Sequence, residues 1–353
     1  MKSENHLNEW REQGILADLD VHLALLMREW HGPDRPGADE VALAAALVSH
    51  AQLMGHICLS LPGLASDGLK GVGEGQLAAL KLPAAEQWIR HLEKSPVVAR
   101  AAEAGEVRRP LVLDAKGRLY LYRYWEYEQI VLRGITERLA DAGDVDRAKL
   151  KAGLARLFDA KATPAESNWQ KVAALTAVLK RFCVVSGGPG TGKTYSAARI
   201  LSLLHDQQPD MRVALAAQTG KAAARLKEAI VQAARDFGMP APAGDPFTLH
   251  RLLGGRPGQY RFRFNRDNRL PYQAVIVDEA SMADIALMAK LISALPDAGR
   301  LILLGDRDQL ASVEAGAVLG DICDAGVRHR FSPAHARAVV SLSPVIMTMR
   351  RPA

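Results

Sequence analysis

Gly187-Gly-Pro-Gly-Thr-Gly-Lys-Thr194 constrains this chain more than any other stretch, because it meets the phosphate-loop pattern G-x-x-x-x-G-K-[ST] at every fixed position. Gly187, Gly188, Gly190 and Gly192, with Pro189 and Thr191 between them, let the backbone turn tightly enough to aim its N–H groups at phosphate oxygens. Lys193 adds a positive charge near the β and γ phosphates, and Thr194 offers a hydroxyl to magnesium. The flanks are what such a loop needs. Arg181 to Ser186 reads as a short buried strand, and Tyr195 to Leu204 as a helix whose N-terminus faces the anion. ATP with Mg²⁺ is the implied cofactor.

Three further apolar runs, Arg212 to Ala217, Ala274 to Val277 and Leu301 to Leu304, each end in a polar or glycine-bearing turn. With helical stretches between them they make a parallel sheet whose working edge is the carboxyl ends of its strands. Ala274-Val-Ile-Val277 runs straight into Asp278 and Glu279, a Walker B arrangement in which Asp278 holds the magnesium and Glu279 polarises the attacking water. Leu303-Leu-Gly-Asp-Arg-Asp-Gln309 ends another strand and offers the Gln309 amide to the γ-phosphate. Thr219, Gly220 and Lys221 open a helix and form a phosphate clamp suited to a second polyanion rather than the nucleotide.

The fold class is therefore α/β, with a small helical N-terminal domain over 1–110 and a hairpin, helix and linker over 111–165. A phosphate-loop domain with a parallel sheet follows over 166–345, with a short β-hairpin insert at 254–269. The helical reading rests on Leu19 to Trp30 and Val41 to Met54, parted by the breaker-rich His31 to Gly37. Leu111-Val-Leu-Asp114 and Arg118 to Tyr122 alternate as a hairpin. Tyr120, Tyr122, Tyr124, Trp125 and Tyr127 read as packing rather than base stacking, and Leu69 to Leu77 as a loop. The polar, proline-bearing stretch from Ala160 to Asn168 marks the expected domain boundary. In the insert, Tyr260-Arg-Phe-Arg-Phe264 puts aromatics on one face and Arg261 and Arg263 on the other, where they can meet phosphates.

A net charge of +6 is compatible with a polyanionic partner but does not require one. The longest apolar run, Val41 to Val48, is far short of a membrane span, and Met1 to His6 does not open a signal peptide, so a cytoplasmic protein is expected. Cys58, Cys183 and Cys323 lie far apart without ligand-spaced histidines and read as core residues.

In order along the chain, GGPGTGKT, AQTGKAAARLKE, TLHRLLG, VDEASM and LLGDRDQLASVEAG resemble the motifs of superfamily 1 helicases of the RecD-like branch. Leu19 to Ala24, Leu43 to His50, Gly55 to Leu59, Arg118 to Trp125 and Asn168 to Ala173 resemble the N-terminal part of the same family, the alpha subunits of bacterial exodeoxyribonuclease V. That resemblance implies a RecA-like motor lobe that moves 5′ to 3′ on single-stranded DNA from duplex ends. The implied partners are RecB and RecC, with RecC met by the N-terminal domain. It makes Gln170 the reader of adenine, Thr219 and His250 contacts to single-stranded DNA, and the insert the pin that splits the duplex.

Two positions depart from the family pattern. Tyr195 stands where a threonine is usual, and Arg351 where an aromatic is common. Val345 to Arg350 resembles only the start of a second RecA-like lobe, with Arg350 a candidate nucleotide contact, so a fragment or truncated product is expected. Two readings remain: an ATP-driven helicase subunit, or a module that docks on the recombination complex and binds nucleotide and DNA without hydrolysis.

Overall fold

The computed structural model describes residues 2–69, 71–73, 82–139, 142–143, 145–158, 169–238, 244–256, 258, 261–309, 315–324 and 332–342. It divides into two compact units, Met1–Gln129 with Ser312–Gly316, and Ile130–Ala311 with Ala317–Ala353. The Leu69 to Leu77 loop, the linker and Arg350 fall largely or wholly outside the described residues.

In the first unit, α1 (Lys2–Glu12) and α2 (Asp18–His31) pack on α3 (Ala38–Leu53), whose Ala42, Ala44, Ala45 and Ala46 are fully buried. Small side chains at those positions let the helix backbones approach closely. α4 (Ala85–Glu93) adds Trp88, whose indole N–H donates to Glu40 O at 2.8 Å.

Beside its helices this unit has strands that the sequence reading did not anticipate, β1 (Cys58–Ser60) and β2 (Val98–Arg100). It carries a sheet in the order β1, β4 (Arg118–Leu121), β3 (Leu111–Leu113), β2. The expected hairpin is β3 and β4, paired antiparallel with Val112 opposite Tyr120. Its turn is held by Asp114, whose carboxylate accepts from the Lys116 and Arg118 amides and the Arg118 guanidinium. Period-two alternation splits the sheet: Leu111, Leu113 and Leu119 join the helices, while Val112 and Tyr120 pack with Ala99, Tyr122 and Trp125. The aromatic run is thus packing, as its composition suggested. The hairpin belongs with the N-terminal helices, and the division falls within α5 (Tyr122–Arg138) rather than at the polar linker.

The second unit holds a five-stranded parallel sheet in the order β5 (Phe182–Ser186), β9 (Arg300–Gly305), β8 (Ala274–Asp278), β6 (Val213–Ala217), β7 (Phe247–Thr248). All residues of β8 and β9 are buried, as expected of apolar strands covered on both faces. α6 (Arg147–Phe158), α7 (Trp169–Leu179), α8 (Lys193–Gln207) and α9 (Gly220–Asp236) supply the core around Leu175, Ile200, Leu203 and Leu226. Among the described residues, no helix is long and apolar enough to cross a membrane.

The insert is not a hairpin over its described residues, which form successive bends. Asn265 is the reason. Its side-chain oxygen accepts from the Asp267 and Asn268 amides, and its own amide bonds Asn268 O, a local turn that competes with a strand ladder. Arg269 is engaged within the protein. It donates to Ser293 O and Leu295 O at the carboxyl end of α11 (Ile285–Ala294).

Buried arginines close other carbonyl ends. Arg138, at 3% exposure, donates to Gly299 O at 3.0 Å, Gly134 O at 2.9 Å and Pro296 O at 2.9 Å, tying α5 to the turn before β9. Replacing it with methionine keeps volume but strips the buried carbonyls of their donor. Arg138→Met should therefore lower stability by about 2 kcal/mol, read as a shifted urea midpoint at unchanged m-value.

Candidate functional site

The loop after β5 is pinned at its base by the Gly187 amide, which donates to Gly305 O at the end of β9, 3.1 Å away. Gly190 and Gly192 take the left-handed backbone at φ of 76° and 78°. At Gly192 glycine is required twice over, since a Cβ there would lie 2.5 Å from the Gln170 amide nitrogen. Thr191 Oγ1 donates to Gly188 O at 2.8 Å and stiffens the turn. Lys193 Nζ reaches across the loop to Gly187 O at 2.6 Å and Gly188 O at 2.9 Å, which holds its charge against the loop.

β8 places Asp278 opposite this loop, where it accepts from Thr194 Oγ1 at 3.2 Å and from the Glu279 amide at 2.9 Å. Burial pushes the Asp278 carboxyl above its ordinary value, against the opposing pull of those two hydrogen bonds and of the Lys193 charge. A hydroxyl and a carboxylate are hard oxygen donors, the set that suits Mg²⁺. Glu279 has φ 53°, the one left-handed non-glycine backbone among the described residues, and the following residues turn at once into a 3₁₀ segment, Ala280–Met282. β9 approaches that turn so closely that a Cβ on Gly305 would meet Leu319 at 2.5 Å and the Ser281 amide nitrogen at 3.1 Å.

Gln309 follows β9, its amide donating to Asp306 O at 3.3 Å and its side chain exposed. Asp306 is buried and accepts from the Asp308 amide, which orders the loop after β9. Gln170, from α7, donates to Thr191 O at 2.8 Å and accepts from Arg199. Tyr195 fits the helix start by reaching outward, its phenol donating to Asp236 Oδ2 at 2.9 Å with its ring edge-on to Phe237.

The polyanion candidates lie after β6 and β7, on the other side of β8 from the phosphate loop. Thr219 caps α9 by accepting from the Ala222 amide at 3.2 Å, and Lys221 is exposed beside it. His250, in the single turn α10 (Leu249–Leu252) capped by Thr248, is exposed and lies 5.7 Å from the Phe262 ring. Lys290 Nζ lies 5.3 Å from the same ring, and Phe262 is flanked in sequence by the exposed Arg261 and Arg263. Sequence reading missed Phe158, Arg199 and Phe237 around Gln170. The Tyr195 to Arg199 spacing of one helical turn was the signal for Arg199.

Residues 12–120 match the model of the RecBCD enzyme subunit RecD N-terminal domain, and residues 170–315 that of an AAA domain. The RecBCD enzyme subunit RecD of Mycobacterium tuberculosis is 38% identical over 333 residues, covering 92% of this chain and 53% of that protein. The corresponding subunit of Mycolicibacterium smegmatis is 39% identical over 328 residues, 88% of this chain and 53% of its own length. The ATP-dependent RecD2 DNA helicase of Deinococcus radiodurans is 37% identical over 166 residues, 47% of this chain and 21% of that one. The chain thus spans about half the length of the RecD subunits it matches.

Asp278 supplies a pH test. Its folded pKa lies above its unfolded one, so the stability it contributes is present at low pH and is lost as pH rises through the folded value. Asp278→Asn should raise the melting temperature of the nucleotide-free chain by about 2 °C at neutral pH, and the gain should shrink as the pH is lowered and the native carboxyl takes up its proton. Thermal scans at a series of pH values from neutral downward check the sign.

Proposed function

We propose, for a chain that belongs to the RecD family, that it binds ATP with magnesium at the β5, β8 and β9 strand ends. ATP hydrolysis there drives a 5′ to 3′ DNA helicase subunit of a RecBCD-type complex, in the repair and recombination of broken DNA. The observation that carries this reading is the joining of loop, Thr194 and Asp278 beneath Lys193.

Bound magnesium would supply charge neutralisation at the β and γ phosphates, with Thr194 and Asp278 as its protein ligands. Lys193 and the loop amides hold the phosphates, and Gln170 reads the base. Glu279 stands one residue beyond the metal-binding carboxylate and takes a proton from the water that attacks the phosphorus. Gln309, just beyond the end of β9, couples the γ-phosphate to the strand-binding side. Thr219, Lys221, His250, Arg261 and Arg263 form the single-stranded DNA surface. The first unit meets the RecC-type partner, consistent with the family match over 12–120, and the setting is the cytoplasm.

Lys193→Ala should abolish ATP binding, read by equilibrium titration; unchanged affinity would remove the phosphate-loop assignment. Glu279→Gln should keep ATP and Mg²⁺ bound while slowing hydrolysis by about 10²-fold or more.

Arg261 and Arg263 changed together to alanine should weaken binding to a single-stranded oligonucleotide and flatten its salt dependence by about two units of slope at most. An unaltered affinity and slope, with the fold intact by circular dichroism, would take the insert out of the DNA path.

A further inference from the structure

Arg199, on α8, takes no part in holding phosphate or metal. Its guanidinium carbon lies 4.5 Å from the ring centroid of Phe158 and 4.7 Å from that of Phe237, so the planar cation is packed against both rings. Nη1 donates to Gln170 Oε1, while Nε is buried without an acceptor. Among the described residues no carboxylate pairs with it, and burial pushes its pKa down. Methionine would fill the same gap between the rings without that desolvation, so packing alone does not account for the charge.

The charge has its effect at Gln170. A guanidinium only donates and a backbone carbonyl only accepts, so the carboxamide held between Arg199 and Thr191 O has a single permitted sense: oxygen toward Arg199, nitrogen toward the loop. In that sense each end keeps one unused valence, an N–H and an oxygen lone pair. Adenine displays the complement on its N7 and N6 edge, an acceptor beside a donor, whereas guanine displays two acceptors, N7 and O6. Without Arg199 the amide is held at one end only, by Thr191 O, and its oxygen is no longer fixed to accept from N6, the donor that tells adenine from guanine.

We infer that Arg199 is a positioning residue that sets adenine-over-guanine selectivity by holding the Gln170 carboxamide oxygen in place. The inference rests on the nucleotide-binding reading of the phosphate loop and deepens it.

The test is equilibrium binding of fluorescently labelled ATP and GTP, with Mg²⁺, to the 353-residue chain. The native chain should prefer ATP, and Arg199→Met should lower that preference by about tenfold. Gln170→Ala should lower it as far, and adding Arg199→Met to Gln170→Ala should change the ratio no further. Arg199→Lys keeps a cation between the rings and a donor for Oε1, so it should retain much of the preference; this arm carries the test if the methionine variant does not fold. An unchanged ratio in Arg199→Met, a further loss in the double variant, or a lysine variant as unselective as Gln170→Ala overturns the inference. A native chain that binds both nucleotides equally overturns the selectivity role and leaves the phosphate-loop reading intact, whereas one that binds neither overturns both.

Discussion

A 3.2 Å hydrogen bond from Thr194 Oγ1 to Asp278 Oδ2 joins the first turn of α8 to the end of β8, and it presupposes the register of the whole parallel sheet. β5 and β8 are not neighbours; β9 lies between them, with Val185 level with Leu304 and Val277 level with Leu303. A slip of one residue in either pairing would turn the buried strand faces outward and carry Asp278 away from the loop. The same strand closes the arrangement from below, because Gly305 accepts from the Gly187 amide and has no side chain to hold off the turn after Glu279. Three sequence motifs far apart in the chain thus act as one rigid edge.

Charge is used in two ways here, and composition cannot separate them. Arg138 and Arg269 each donate to two or more main-chain carbonyls at turns or helix ends, and Arg300 donates to Val178 O and Lys180 O at the end of α7. Such arginines substitute for C-caps and say nothing about a polyanion. Among the exposed cations after β6 and β7, Lys221, Arg261 and Arg263 give a smaller but more directed basis for the proposed nucleic-acid binding than the net charge of +6.

The legible parts of the sequence were those where side-chain type and backbone state coincide. Apolar runs long enough to cross a sheet announced β5, β6, β8 and β9, and the glycines of the loop announced the left-handed turns at Gly190 and Gly192. β1 and β2, each of three residues, and β7, of two, are too short to show a period and exist through their neighbours' hydrogen bonds. In the insert the alternation around Arg261 to Phe264 was a true pattern with a false consequence, because Asn265 and Asn268 satisfy the backbone locally. The unit boundary was misplaced for a related reason. A proline-bearing polar stretch marks where a chain is soluble and irregular, whereas units are divided by where contacts are few.

Groups that cost stability gather at the proposed nucleotide site. Asp278 is buried and resists ionisation, Glu279 holds a left-handed backbone without being glycine, and Arg199 is a half-buried cation with an orphaned Nε donor. Arg138 and Arg300, also buried cations, are by contrast matched to carbonyls. The difference separates two reasons for burying a charge. One closes a helix end and is satisfied in place; the other keeps a hydrogen-bonding valence or an electrostatic preference for a group the chain does not itself contain. By that criterion the proposed nucleotide edge extends beyond the loop to the Phe158, Arg199 and Phe237 stack, a cluster that no motif pattern contains.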